Sequence, residues 1–243
     1  ERITQQLNPE PAYSFLLEIG PGTGILTDYL LRLAHLQTYA IELDQESLRF
    51  LKKKYPKMAD RFLFGDFLEE NLQEVFGDQS YGIIGNFPYN ISSQIFFRVL
   101  QFKDQIPEIV CMLQKEVAER IVSPPRRKSY GILSVFLQAY YDCEYLFTVE
   151  PDVFHPPPKV RSGVIRLQRN EKKELDCDEK LFRRLVKQGF NNRRKTLRNA
   201  LKPLNLSLRI KEMDILNSRA EELDVDAFVA LSQEIQKDQE SEA

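Results

Sequence analysis

Phe15-Leu16-Leu17-Glu18-Ile19-Gly20-Pro21-Gly22-Thr23-Gly24 is a short apolar run ending in three alternating glycines, and its reading decides the fold. Five mainly apolar residues before the glycines read as a strand, and the residues from Ile25 to Leu36, apolar at three-to-four spacing, read as a helix. A buried strand running straight into a helix is the repeating unit of a parallel sheet wrapped by helices. The glycines allow the backbone to approach a ligand at a helix amino end, where unpaired N–H groups point outward. Their spacing is G-x-G-x-G; a dinucleotide fingerprint reads G-x-G-x-x-G, and position 25 is Ile, so a nicotinamide or flavin reading is weak.

The same alternation continues outward. Strands are expected near Thr38-Glu42, Arg61-Phe64, Tyr81-Gly85 and Pro107-Leu113, with helices at Gln45-Tyr55, Glu69-Phe76, Ser92-Phe102, Lys115 to about Val122, and Gly131-Tyr141. Two β-rich stretches follow, Glu144-Val149 and Gly163-Arg169. The mixed-charge linker from Asn170 to Asp178 marks a change of composition, so the expectation is an α/β domain over residues 1–170 and an all-helical domain over 179–243. The helical end reads as four helices, Asp226-Gln236 the clearest, with polar residues from Lys237 to Ala243 expected to fray.

Strand ends on one side of such a sheet share a cleft. Glu42 closes the second strand about twenty residues after the glycines, where a carboxylate accepts both hydroxyls of a ribose. Asp44 reads as a helix cap, and Asp66 is placed to accept from an adenine amino group. Each acid alone is more readily a cap or a surface charge; their joint occurrence at successive strand ends favours a nucleoside site.

Asn86-Phe87-Pro88-Tyr89 follows the fourth strand. An Asn-x-Pro-aromatic turn suits methylation of an exocyclic nucleobase amine, a poor nucleophile because its lone pair is delocalised into the ring. The Asn86 amide oxygen and a backbone carbonyl near Pro88 can accept the two amine protons, while Tyr89 offers a ring face to the base. A polar turn ending a buried strand is the bland alternative.

The net charge of −2 hides an asymmetry. From Lys180 to Lys211 there are eleven Lys and Arg and no acid, leaving −13 on the remaining residues. A field of that kind attracts phosphate backbones. Cys111, Cys143 and Cys177 are odd in number and too widely spaced for a zinc pattern, which points to a reducing, cytoplasmic setting without metal. No apolar stretch reaches the roughly 20 residues that cross a bilayer. The first residues, Glu1-Arg2-Ile3-Thr4, carry neither a signal peptide nor an initiator methionine, so the amino end is expected to be cut. No long apolar seam remains unassigned, which favours a monomer. His35 and His155 have no carboxylate pattern beside them and read as incidental.

The chain resembles the KsgA/RsmA-type small-subunit rRNA adenine dimethyltransferases over nearly its whole length. Leu17 to Gly24 with Leu26-Thr27 matches the cofactor loop, Ala40 to Asp44 the ribose strand, Gly65-Asp66 the adenine turn, and Asn86 to Asn90 the catalytic motif. Stretches that generic methyltransferases lack also match: Gln114 to Arg120, Tyr130 to Val135, Phe154 to Val160, and Phe190-x-x-Arg193-Arg194-Lys195-Thr196-Leu197. The resemblance implies a Rossmann-like class I methyltransferase domain with a small helical carboxyl-terminal domain. It implies S-adenosylmethionine as methyl donor and two adjacent adenosines in the 3′-terminal hairpin of small-subunit rRNA, within the immature 30S particle, as substrate. By position, Glu18, Gly20, Gly22 and Gly24 would surround the methionine portion, Glu42 the ribose and Asp66 the cofactor adenine. Asn86, which also borders the cofactor, and Pro88 would hold the target amine, with Tyr89 on one face of the base and Phe154 on the other. Arg193, Arg194, Lys195 and Arg198 would grip rRNA phosphates, with Arg126, Arg127 and Lys128 extending that surface. Phe87 stands where many members carry Leu, and the family's Gly-Gln-Asn-Phe-Leu stretch is not among these residues. The rival readings are a large-subunit rRNA methyltransferase of the macrolide-resistance type and a non-catalytic assembly or nucleic-acid-binding factor on the same fold.

Overall fold

The computed structural model, which describes residues 1–154 and 156–241, places seven strands in one sheet. They are β1 (Phe15–Ile19), β2 (Gln37–Glu42), β3 (Phe62–Phe64), β4 (Tyr81–Asn86), β5 (Glu108–Gln114), β6 (Tyr141–Val149) and β7 (Ser162–Arg169). Their order across the sheet is β3-β2-β1-β4-β5-β7-β6, with β1 to β5 parallel and β7 antiparallel to both its neighbours. Leu17 pairs with Tyr39 on one side and with Ile83 on the other. The strand order therefore reverses between β1 and β4, and the carboxyl ends of those two strands open the crevice where ligands of such sheets bind.

Helices α1 (Thr27–Leu30), α2 (Gln45–Lys54), α3 (Leu72–Phe76) and α4 (Ser92–Gln101) connect the parallel strands, and α5 (Lys115–Ile121) follows β5. Asp44 caps α2 by accepting from Ser47 N–H at 2.7 Å, as its sequence position suggested. The helix expected over Ile25-Leu36 is shorter. Beyond Leu30 the backbone tightens to three-residue bonds, Leu33 N–H to Leu30 and Leu36 N–H to Leu33, both 3.0 Å. Likewise Glu69 and Glu70 both donate to the Asp66 carbonyl in a turn, so α3 starts later than Glu69.

Two compact units result. The first comprises Glu1–Ala118 with Tyr141–Arg169, and the second comprises Glu119–Tyr140 with Asn170 onward. The second unit holds α6 (Ile132–Gln138), α7 (Glu179–Asn191), α8 (Leu197–Ala200), α9 (Leu208–Lys211) and α10 (Val225–Ser241). Residues 119–140, placed by the sequence with the sheet domain, thus group with the helical end. The Phe136 ring lies 6.1 Å from Phe182 and Tyr130 lies 5.9 Å from Phe190, so burial of these aromatics draws the segment over. Asp178 caps α7 by accepting from Lys180 and Leu181. Helix α10 runs through Lys237 to Ser241, where fraying was expected; Glu242, Ala243 and His155 lie outside the described residues. Among the described residues no helix is long and apolar enough to cross a membrane.

Candidate active site

Gly20, Gly22 and Gly24 adopt φ of +66°, +55° and +81°, values that a side chain makes costly. Their surroundings differ. A methyl group at Gly20 or Gly22 would meet nothing within 4 Å, so both face open space beside the crevice. At Gly24 it would stand 2.8 Å from the Tyr55 hydroxyl. That hydroxyl donates to the Gly24 carbonyl at 2.9 Å and lies 2.6 Å from Asp28. Gly20 and Gly22 therefore leave room for close backbone approach, while Gly24 makes room for Tyr55.

Glu18, at 1% exposure, is the most unusual charge in the unit. Burial pushes its carboxyl up to about 7, and the nearby Glu42 and Asp28 charges push the same way, against a 2.6 Å bond donated by the Thr27 hydroxyl. Among the described residues no cation contributes to its environment. Glu42 uses one oxygen to accept from Gly22 N–H at 3.0 Å and the other from Asp44 N–H at 2.9 Å. A carboxylate has about four acceptor positions, so each oxygen keeps one for a hydroxyl. Asp66 spends one oxygen on Leu68 N–H at 2.9 Å.

A cavity of about 380 Å³ sits at the carboxyl ends of β1 and β4. Its wall brings together Glu18, Gly20, Gly22, Asn86 and Phe154, five of the residues singled out by sequence. Gly24, Glu42, Asp66, Pro88 and Tyr89 do not line it. Asn86 is exposed at the end of β4, whereas the next residue is pinned: Phe87 is 1% exposed, donates its N–H to Met112 at 2.9 Å and packs edge-on against Phe96. That anchor holds the backbone beside Asn86, which lines the cavity. The Pro88 carbonyl already accepts from Ile91 N–H at 3.2 Å, leaving it one lone pair, and the Tyr89 hydroxyl sits 2.6 Å from Ser162 Oγ. Leu26, Met112 and Tyr29 also line the cavity, and Ser162 and Thr27 serve as partners; Leu26 and Thr27 belong to the matched cofactor loop, whereas Met112, Tyr29 and Ser162 carry no sequence signal of their own.

The expected cations all lie in the second unit. Arg126, Arg127, Lys128, Arg194 and Lys195 are exposed. Two others are engaged: Arg193 Nε pairs with Glu221 at 2.5 Å, and Arg198 bonds Asn217 at 3.0 Å and the Lys211 carbonyl. Arg183 and Arg209 of the basic run likewise pair with Glu179 and with Glu234 and Asp238. Within the basic run, tertiary folding thus brings acids remote in sequence to Arg193 and Arg209, while Arg183 meets one four residues away. Among the described residues no group of three or more His, Cys, Asp or Glu gathers as a metal set, and the three cysteines are free thiols.

A sheet of this order, with one antiparallel strand inserted beside β5 and a glycine cradle at its switch point, defines the Rossmann-like class I methyltransferases. The chain belongs to the ribosomal RNA adenine dimethylase family, which it matches over residues 1–237. It is 54% identical over 226 residues to the ribosomal RNA small subunit methyltransferase A of Flavobacterium johnsoniae, covering 93% of this chain and 86% of that protein. A dimethyladenosine transferase crystal structure from Plasmodium falciparum superposes with a TM-score of 0.79 at 26% identity, covering 93% of this chain and 92% of that one. The 23S rRNA methyltransferase ErmE shares the fold, with a TM-score of 0.67 at 23% identity over 96% of each chain.

Proposed function

We propose that this protein dimethylates the exocyclic amines of two adjacent adenosines in the 3′-terminal hairpin of small-subunit rRNA, with S-adenosylmethionine as donor. The observation that carries the reading is the convergence of the Asn86 side chain, the Gly20 and Gly22 cradle and Phe154 on one cavity. The cradle suits the cofactor: open space at both glycines admits close backbone approach, Glu18 offers a buried carboxylate to an ammonium, and Glu42 keeps acceptor positions for a ribose. Asp66 retains a free oxygen for an adenine amine. When bound, the sulfonium supplies a methyl group that is already activated.

The chain's own work is to bind and align. Asn86 Oδ1 accepts one proton of the target amine and the second lone pair of the Pro88 carbonyl accepts the other, which turns the nitrogen lone pair out of conjugation. Tyr89, its hydroxyl held by Ser162, presents a fixed ring face, and Phe154 closes the other side. Stacking of this kind offsets the unstacking of a flipped base by about 1–3 kcal/mol per base. Holding donor and acceptor in line supplies several kcal/mol of the barrier. The product ammonium is acidic enough to lose its proton to water. Arg194, Lys195, Arg126, Arg127 and Lys128 meet phosphates and set orientation, with Arg198 contributing from its partly covered position. The setting in this reading is the immature 30S particle, with the protein a cytoplasmic monomer and no metal involved.

Family membership and the 54% identity to a small-subunit enzyme favour this substrate over the large subunit, and the intact Asn86-Phe87-Pro88-Tyr89 turn favours catalysis over binding alone. The test is transfer of labelled methyl to immature small subunits. Wild type is expected to methylate and Asn86→Ala to bind but methylate about 10²–10³-fold more slowly; a wild-type protein inert on small subunits would sink the reading.

A further inference from the structure

The loop between α5 and α6 carries Arg126, Arg127 and Lys128, three exposed cations in a row. Like charges side by side repel, and such a loop would ordinarily splay. Here it is held from several directions. Arg126 sits in the left-handed region at φ +67°, which an arginine adopts only under constraint. Its N–H donates to the Glu221 carbonyl at 2.7 Å. Ser123 Oγ and Ser129 Oγ close the loop base at 2.8 Å. Arg193 completes the arrangement: Nε meets the Glu221 carboxylate at 2.5 Å, while Nη2 donates to the Arg127 carbonyl at 3.1 Å. One guanidinium therefore joins the turn at Glu221, the loop at Arg127 and the segment that carries exposed Arg194 and Lys195.

We infer that Arg193 is a positioning residue that does not itself grip phosphate, and that the Arg193–Glu221 pair locks the cations of residues 126–128 and 194–195 into one phosphate-binding surface for rRNA. The inference rests on the rRNA-binding reading above. Its physical content is a sign. Glu221 is an acid beside a basic surface, so simple electrostatics says that removing it tightens RNA binding. If Glu221 holds the surface together, removing it weakens binding, because ordering the loop then costs entropy on association.

The experiment measures binding of the full chain to a labelled RNA hairpin from the 3′ end of small-subunit rRNA across a salt series. Arg194→Ala and Lys195→Ala each lower the salt slope by about one, which reports direct phosphate contact. A wild-type protein without salt-dependent binding would refute the rRNA surface as a whole, separately from the role given to Arg193. Glu221→Ala is expected to weaken binding about fivefold. Tighter or unchanged binding overturns the inference. Arg193→Ala, which also loses the bond to the Arg127 carbonyl and one positive charge, should weaken binding at least as much as Glu221→Ala, and the Arg193→Ala/Glu221→Ala double variant should be no weaker than Arg193→Ala alone, since both break the same lock, whereas additive effects point to Arg193 on a phosphate. Should Glu221→Ala fail to fold, Arg193→Lys keeps the charge but lacks the fork that reaches both Glu221 and the Arg127 carbonyl, and an unchanged affinity there also overturns it.

Discussion

Replacing Glu18 by Gln tests whether the buried carboxylate is held ready, at a cost in stability, for a cation. In the folded protein its carboxyl titrates near 7, against an ordinary value of 4.5. Between those two values the native state binds the proton that the unfolded chain has released, so stability falls as pH rises through this window and is level above it. Each pH unit between the two values is worth about 1.4 kcal/mol, which makes the total loss about 3 kcal/mol. The carboxamide is nearly isosteric, keeps an acceptor for Thr27 and carries no charge at any pH. It leaves an amide N–H₂ without an assured partner, a cost of about 1–2 kcal/mol that does not vary with pH. Glu18→Gln should therefore be less stable than wild type at pH 4.5 and more stable at pH 8, the difference between the two proteins moving by about 3 kcal/mol across the range. The chain has no tryptophan, so urea unfolding is followed by far-ultraviolet circular dichroism. Hydrogen exchange at the Leu16 and Leu17 amides of β1 reports the first unit separately. Stability curves for the two proteins that run parallel from pH 4.5 to 8 would refute the reasoning.

Further outcomes follow from the same geometry. Asn86→Ala, at an exposed strand end, should lower the methyl-transfer rate about 10²–10³-fold with little change in melting temperature; a rate within tenfold of wild type on small-subunit rRNA would exclude the amide as the amine acceptor. Gly24→Ala forces a side chain at φ +81° onto Tyr55 and should destabilise by about 2–4 kcal/mol in thermal unfolding. Gly20→Ala meets open space, so it should cost only about 1 kcal/mol in stability while weakening cofactor binding measured by calorimetry; equal stability losses at the two glycines would contradict the division of roles. Tyr89→Phe removes only the bond to Ser162 and should reduce transfer less than tenfold, whereas Tyr89→Ala should reduce it much more; equal losses in single-turnover assays would mean that the hydroxyl matters and the ring face does not.

The strands were legible because period and punctuation are local. Phe15–Ile19 needs no tertiary information: an apolar run of that length bounded by glycines fits a buried strand and little else. The backbone of the glycine loop and of the turn after Asn86 was legible for a related reason, since glycine and proline constrain the backbone wherever they stand. That β7 inserts antiparallel between β5 and β6 was not legible, because strand pairing is set by which edges remain to be satisfied once the parallel core has formed. The grouping of residues 119–140 with the helical end was hidden for a similar reason: it depends on Phe136 meeting Phe182 across more than forty residues of chain.

Charge marks the same divide. The sequence alone determined that residues 180–211 carry no acid and that Glu42 and Asp66 follow successive strands. Only the tertiary structure decided which of those charges stay available. Arg193, Arg198 and Arg209 find partners at Glu221, Asn217, Glu234 and Asp238, residues remote in sequence, while Arg194 and Lys195 remain exposed. Glu18 shows it in the sharpest form, since any sequence reading assigns it an ordinary carboxylate, and its displacement to about 7 arises from burial, which is a property of everything packed around it.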